Sequence, residues 1–155
     1  MKKIILLLSA CLLISITGYS QPVAPEKVPA AVKEAFAKKF PTATYVTYKM
    51  EKLDYEVKFK DNGLGMSADF NSKGEWLETE TVMIESDLPK EVLTSVATNF
   101  VGFTITEITK VEGPDKVLNY EMKLKKDQDG FKVKFSPKGE ILKKTPLKKK
   151  PPVKK

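Results

Sequence analysis

The acids are the first residues to weigh for chemistry. Glu56 and Glu121 stand at matching places in two similar stretches, 53–59 and 118–124, where apolar and polar residues alternate. Asp54, Glu56, Glu78 and Glu80 would gather into an acidic patch if the strands carrying them are neighbours. Two carboxylates across a deep cleft, one kept protonated by burial, could hydrolyse a glycosidic bond. The alternation puts these acids on the wet side of strands, with no sign of depth, so no catalytic residue is assigned. Asp127-Gln128-Asp129-Gly130 has the opening of a calcium loop. It lacks the later glutamate and the flanking helices, so it reads as a hairpin turn, and no metal site is expected.

Other chemistries fail for want of residues. There is no histidine, which removes the usual general base, the commonest zinc ligand and every Ser-His pairing. The single cysteine, Cys11, lies in an apolar leader. Gly63-Leu64-Gly65 belongs to a hairpin rather than a strand-to-helix turn, so it is no phosphate loop. No cofactor is expected, and the chain does not read as an enzyme.

The aromatic residues offer recognition rather than catalysis. Tyr and Trp bring contact area at small entropic cost. Trp76 follows a turn and corresponds to Ile141 in the second stretch, so it reads either as an exposed anchor or as the edge of the core. Trp76 and Tyr48 are the aromatic candidates for binding a protein or peptide, together with a loop at Gly113, Pro114, Asp115 and Lys116.

The elements that position these residues come as a doubled pattern. Val28-Pro29 returns as Leu88-Pro89, and Val32, Phe36 and Phe40 return as Val92, Val96 and Phe100, all at an offset of 60. Tyr55, Phe70 and Gly74 return as Tyr120, Phe135 and Gly139 at an offset of 65. An internal repeat of this kind sets the fold before any single residue does. Five residues have been added between Ile105 and Tyr120, and 113–116 is the place for them.

Each unit opens with a helix. Pro29 suits its first turn, apolar residues follow at helical spacing, and Pro41 stops it, giving a helix over about 29–39. The period then becomes two. Strands are expected over about 43–50, 53–60, 64–70 and 75–84, with turns at Asp61-Asn62-Gly63 and Asn71-Ser72-Lys73-Gly74. In the last strand either Trp76, Val82 and Ile84 share a face, or Leu77 and Met83 supply the buried one. The second helix has Phe100-Val101-Gly102 where the first has Phe40-Pro41, so Gly102 must end it. The expected fold is α+β, a tandem repeat of a helix and four antiparallel strands, with both helices on one side of the sheet or sheets. The polar faces open on the other.

The ends read differently. Lys2 and Lys3, an apolar run over 4–16 and small residues before Gln21 make 1–20 a secretory signal peptide, cleaved near Ser20/Gln21. A lipoprotein cut at Cys11 is the minor alternative. The run is too short to span a bilayer comfortably, so no transmembrane span is expected in the mature chain. Residues 21–27 read as a linker, 28–86 and 87–143 as the two units, and 144–155 as a disordered Lys/Pro tail.

Charge follows the same division. The chain has 27 lysines, no arginine and 20 acids, for a net charge of +7. Residues 21–142 hold 18 of those lysines and all 20 acids, a net of -2, so the basic character is terminal. That and the lack of arginine argue against nucleic acid. The tail lysines Lys148, Lys149, Lys150, Lys154 and Lys155 could instead meet an anionic envelope surface.

The doubled pattern resembles the PepSY-like domains of secreted Bacteroidetes proteins, which are similar in fold to the beta-lactamase inhibitor proteins. The likeness rests on Val28-Pro29 with Phe40-Pro41, on Tyr55-Glu56-Val57 with Phe70 and Lys73-Gly74-Glu75-Trp76-Leu77, on Leu88-Pro89 with Phe100, on Glu107-Ile108-Thr109-Lys110-Val111-Glu112, and on Tyr120-Glu121-Met122 with Phe135 and Lys138-Gly139-Glu140-Ile141-Leu142. It spans about residues 26–143. The resemblance implies a non-catalytic, periplasmic or secreted module that binds a protein or peptide, such as an inhibitor of an extracytoplasmic enzyme. It does not imply that the target is a beta-lactamase. The alternative is a structural or envelope-associated protein held by its lysine-rich tail.

Overall fold

A computed structural model describes residues 21–147. The signal-peptide and lipidation readings at 1–20, and the tail lysines Lys148, Lys149, Lys150, Lys154 and Lys155, lie outside the described residues. The chain runs β1 (Gln21–Val23), α1 (Ala30–Lys39), β2 (Thr44–Glu51), β3 (Asp54–Asp61), β4 (Leu64–Asn71) and β5 (Trp76–Val82). It continues as α2 (Lys90–Asn99), β6 (Thr104–Glu112), β7 (Leu118–Lys126), β8 (Asp129–Phe135) and β9 (Ile141–Pro146). The nine strands form one antiparallel sheet in sequence order. The class is α+β, and the two halves share a single sheet. Four residue pairs join them, from Thr79↔Glu112 to Val82↔Thr109.

Both helices begin after a proline, as expected. The Pro29 and Pro89 carbonyls accept bonds from Val32 and Val92 in the first turn. They end where Phe40 and Phe100 donate back to Phe36 and Val96. Gly102, at φ +78°, then takes the left-handed turn that Pro41 makes unnecessary in the first half.

The helices cover one face of the sheet. Val28, Val32 and Phe36 pack on Val57, Phe59, Ala68 and Phe70. Leu88, Val92, Val96 and Phe100 pack on Ile108, Tyr120, Met122, Leu124, Val133 and Phe135. Partners across an antiparallel pair point to the same side. The register runs Val57↔Ala68↔Thr79↔Glu112↔Leu118, so both cores lie on one side of one sheet. The buried positions are related by the same offsets of 60 and 65 seen in the sequence.

Two glycines fix how the helices meet the sheet. Gly74 and Gly139 have φ of +81° and +80° in the turns after β4 and β8. A Cβ on Gly74 would stand 2.5 Å from the Ala31 carbonyl oxygen, and one on Gly139 would strike that of Glu91. Only glycine lets these turns tuck under the first turn of each helix. In the first, the Asn71 side chain accepts from the amides of Lys73 and Glu75 at 2.9 and 3.0 Å. Ser136 accepts from Glu140 at 3.2 Å in the second.

Several boundaries differ from the sequence reading. Residues 21–23, read as linker, form β1 and pair with Tyr48 to Met50. They carry no pattern of their own; an open edge of β2 recruits them, and Pro22 is tolerated at that edge. Residues 144–146, read as tail, complete β9 because β8 offers a free ladder. Leu53 lies in the β2–β3 turn and is 83% exposed, not on the inward face. The last strand of the first half follows neither simple alternation. A register shift opposite Asp69 and Phe70 adds a residue near Leu77, so Trp76 and Thr79 both face the helices. Met83 then packs in the second core while Val82 and Ile84 are exposed.

Candidate binding face

The other side of the sheet has no layer over it among the described residues. The strand register puts Glu56 and Lys58 of β3, Ser67 and Asp69 of β4, and Glu78 and Glu80 of β5 on that side. Thr109 and Val111 of β6, Glu121 and Lys123 of β7, and Lys132 and Lys134 of β8 complete it. Acids dominate the first half and lysines the second. The expected acidic patch exists: β3, β4 and β5 are neighbours, with Glu56 opposite Asp69 and Asp69 opposite Glu78.

A pocket of about 410 Å³ lies on this face. Residues as far apart in the sheet as Glu51 and Lys132 line it, so the sheet curls around it. A second groove, about 320 Å³, adjoins it at the end where Tyr45 and Val82 lie. Toward the opposite end, Gly113, Pro114 and Asp115 line a third pocket of about 370 Å³ with Leu77, Glu78, Asn119 and Lys134.

Ion pairs tie much of the face together. Lys58 reaches Glu56 at 3.3 Å, Lys123 reaches Glu107 at 2.7 Å, and Lys134 reaches Glu78 at 3.5 Å. Lys132 bridges Glu121 and Glu80, the latter at 3.6 Å. Burial works against the charge on Lys132, but the hydrogen bond to Glu121 and the charges of Glu80, Glu121 and Glu78 outweigh it and push the ammonium up to about 12. Burial, and then the carboxylates of Glu78, Glu56, Glu80 and Glu51, push Asp69 up to about 7. Glu80 also rises to about 7, through burial and its contact with Glu121, against the pull of Lys132.

Raised carboxyls in a pocket are a common mark of an active site. Here they stand on an open sheet beside Ser67, which lies opposite Glu80 in the strand register. Among the described residues no three His, Cys, Asp or Glu side chains are placed to hold a metal ion. No described helix is long and apolar enough to cross a membrane.

The residues singled out from sequence do not converge. Trp76 lies on the helix side, against the first core, with its Nε1 donating to Thr79 Oγ1 at 2.9 Å. Lys39 Nζ stands 3.4 Å from its ring centroid. Tyr48 also packs on that core, edge-on to Phe36. Gly113, Pro114 and Asp115 line the far end of the uncovered face, and Lys116 completes their turn by donating to the Gly113 carbonyl at 2.9 Å. Asp115 caps the turn by accepting from Val117 at 3.0 Å. Asp69, Lys132 and Lys134 were not singled out. Alternation with Ala68 and Phe70 puts Asp69 on the polar side, but only the register shows how closely other acids surround it.

The geometry agrees with known proteins. A family model described as "Putative beta-lactamase-inhibitor-like, PepSY-like" matches residues 15–67 and 53–143. A solved structure from Bacteroides eggerthii, described as a "putative periplasmic" protein, is 25% identical, with a TM-score of 0.70 over 77% of this chain and 88% of its own. A DUF2874 family protein from Bacteroides uniformis is 24% identical, with a TM-score of 0.70 over 76% and 88%. A BLIP-like protein from Bacteroides fragilis, 20% identical, shares the fold with a TM-score of 0.65 over 82% and 92%. No curated protein matches the chain. The two spans of the family model overlap and together cover residues 15–143, and the chain therefore belongs to the beta-lactamase-inhibitor-like, PepSY-like family.

Proposed function

We propose that this protein is an exported, non-catalytic module that binds a protein or peptide on the uncovered face of its sheet. One observation carries the reading: two helices pack on one face and bury both cores there, while the other keeps a pocket of about 410 Å³ lined by partly buried charges. The pocket is lined by acids, lysines and Ser67 rather than by apolar side chains, which favours a polar partner surface over a small-molecule cleft. Inhibition of an extracytoplasmic enzyme is the form of binding that the family description favours. The location we assign is the periplasm or outside, after cleavage near Ser20/Gln21, in keeping with structural relatives described as periplasmic. We also assign the doubled architecture to a tandem repeat of a helix and four strands, on the strength of the shared offsets.

Capture from the periplasmic fraction tests the face. Ser67 lies in the floor of the pocket, and Thr98 on the exposed side of α2. A partner retained by wild type and by Thr98→Arg, and lost by Ser67→Arg, is the expected result. Equal retention by Ser67→Arg would overturn the assignment.

A second reading is envelope association through the lysine tail. The exposed Lys143 and Lys144 of β9 favour it, since they extend the basic run onto the folded edge. Removal of residues 148–155 should then abolish sedimentation with anionic liposomes at physiological salt; unchanged sedimentation removes the tail from the account.

A further inference from the structure

Like charges directly opposite on neighbouring strands destabilise a sheet. Glu56 faces Asp69, and Asp69 faces Glu78. Lys58 relieves Glu56 and Lys134 relieves Glu78. Among the described residues none of the ion pairs on this face includes Asp69, which stands between them without a paired cation.

The face has an apolar feature as well. The adjoining groove is walled by Tyr45, 82% exposed, and Val82, 53% exposed. It shares Lys58, Ser67 and Glu80 with the larger pocket, so one trough runs from Asp69 to Val82. Gly65 marks its far end, its missing Cβ 3.5 Å from Val82. Gly65 is four residues from Asp69 along β4, about 13 Å at the rise of an extended strand.

We propose that this trough docks an extended segment of a protein partner, with a lysine or arginine over Asp69 and an apolar side chain four residues away against Val82 and Tyr45. The proposal rests on the uncovered face being the binding surface and adds the chemistry of its partner. In an extended segment, side chains four positions apart point the same way and stand about 13 Å apart, which matches the trough. The charge pattern favours an organic cation over a metal ion. The acids are strung across three strands and do not converge on one point. An ammonium on a flexible stem, or a planar guanidinium, can meet them one or two at a time. The raised carboxyl of Asp69 fits this role, because a docked cation would pull its proton off.

The probe is a synthetic pentapeptide, blocked at both ends, with lysine first, leucine fifth and serine or threonine between. It is titrated into the full chain at pH 8 and physiological salt, with binding followed by amide NMR shifts. The expected shifts lie along β4 and β5, between Asp69 and Val82. Binding should weaken about tenfold or more with norleucine in place of lysine, with leucine moved to the fourth position, or in Asp69→Asn. Equal binding of the norleucine peptide, equal binding by Asp69→Asn, or no response at millimolar peptide overturns the proposal. The capture assay separates its failure from that of the face. A partner lost by Ser67→Arg, with no peptide response, overturns the cation site and keeps the face. A partner retained by Ser67→Arg overturns the face itself.

Discussion

Asp69 on β4 lies directly opposite Glu78 on β5, two acids side by side on the face that the helices leave bare. Burial and these neighbouring charges raise the Asp69 carboxyl from 3.8 to about 7. The folded chain therefore holds this proton to higher pH than the unfolded chain does. Stability is greatest below the unfolded value, falls as pH rises from about 4 to about 7, and is level above that. Glu80, raised from 4.5 to about 7, adds a loss of the same sign. Asp69→Asn should then stabilise the fold at pH 8 by about 1–2 kcal/mol, after discounting for the solvent that still reaches the group. At pH 4 it should change little. Urea unfolding at the two pH values checks this; destabilisation at pH 8, or an equal gain at both, would contradict it.

Lys132 is the cation that holds the centre of the face. It pairs with Glu121 and Glu80, and among the described residues the buried Glu121 Oε1 has no hydrogen-bond partner beyond that ion pair. Lys132→Met leaves two crowded carboxylates and no cation between them. A loss of about 1–3 kcal/mol at pH 7 is expected, shrinking toward pH 4 as the acids take up protons. An unchanged thermal midpoint at pH 7 would show that the pair contributes nothing.

Three glycines with the same backbone angle separate strain from collision. Gly63, Gly74 and Gly139 all have φ near +80°. Nothing lies within 4 Å of a Cβ on Gly63, whereas one on Gly74 or Gly139 meets a helix carbonyl. Gly63→Ala should cost about 1 kcal/mol, the strain alone. Gly74→Ala and Gly139→Ala should each cost at least about 2 kcal/mol, since the helix must also move. Equal losses at all three positions would refute the tucked-turn account.

Trp76 gives a direct optical test of its placement. Its ring packs at the edge of the first core beneath Lys39, with the indole N–H bonded to Thr79. Iodide should quench its emission much less than that of free tryptophan. Quenching equal to the free indole would place the ring in solvent and return it to the uncovered surface.

The sequence carried the helices, the turns and both cores, because each depends on local spacing. Val32 with Phe36, and Val57 with Phe59, declare their faces through their periods alone. It could not carry what pairing creates. β1 exists because the β2 edge is open, and β9 extends to Pro146 because β8 offers a free ladder. Joining the halves into one sheet depends on four pairs between Thr79–Val82 and Thr109–Glu112, where threonine and charge give no inward stripe. The bulge near Leu77 reverses the alternation in β5, which is why Trp76 could be read either way. Asp69 looked like any polar residue in a strand until the register set it between Glu56 and Glu78.

Crosslinking from single positions reads out whether a partner docks on the uncovered face, as proposed. A photoreactive residue is placed at Ser67 in the pocket, or at Thr98 on the outer side of α2, and activated in the periplasmic fraction. A discrete protein adduct from position 67 and none from position 98 is the expected result. An adduct from position 98 alone would place the binding surface on the helices and contradict it.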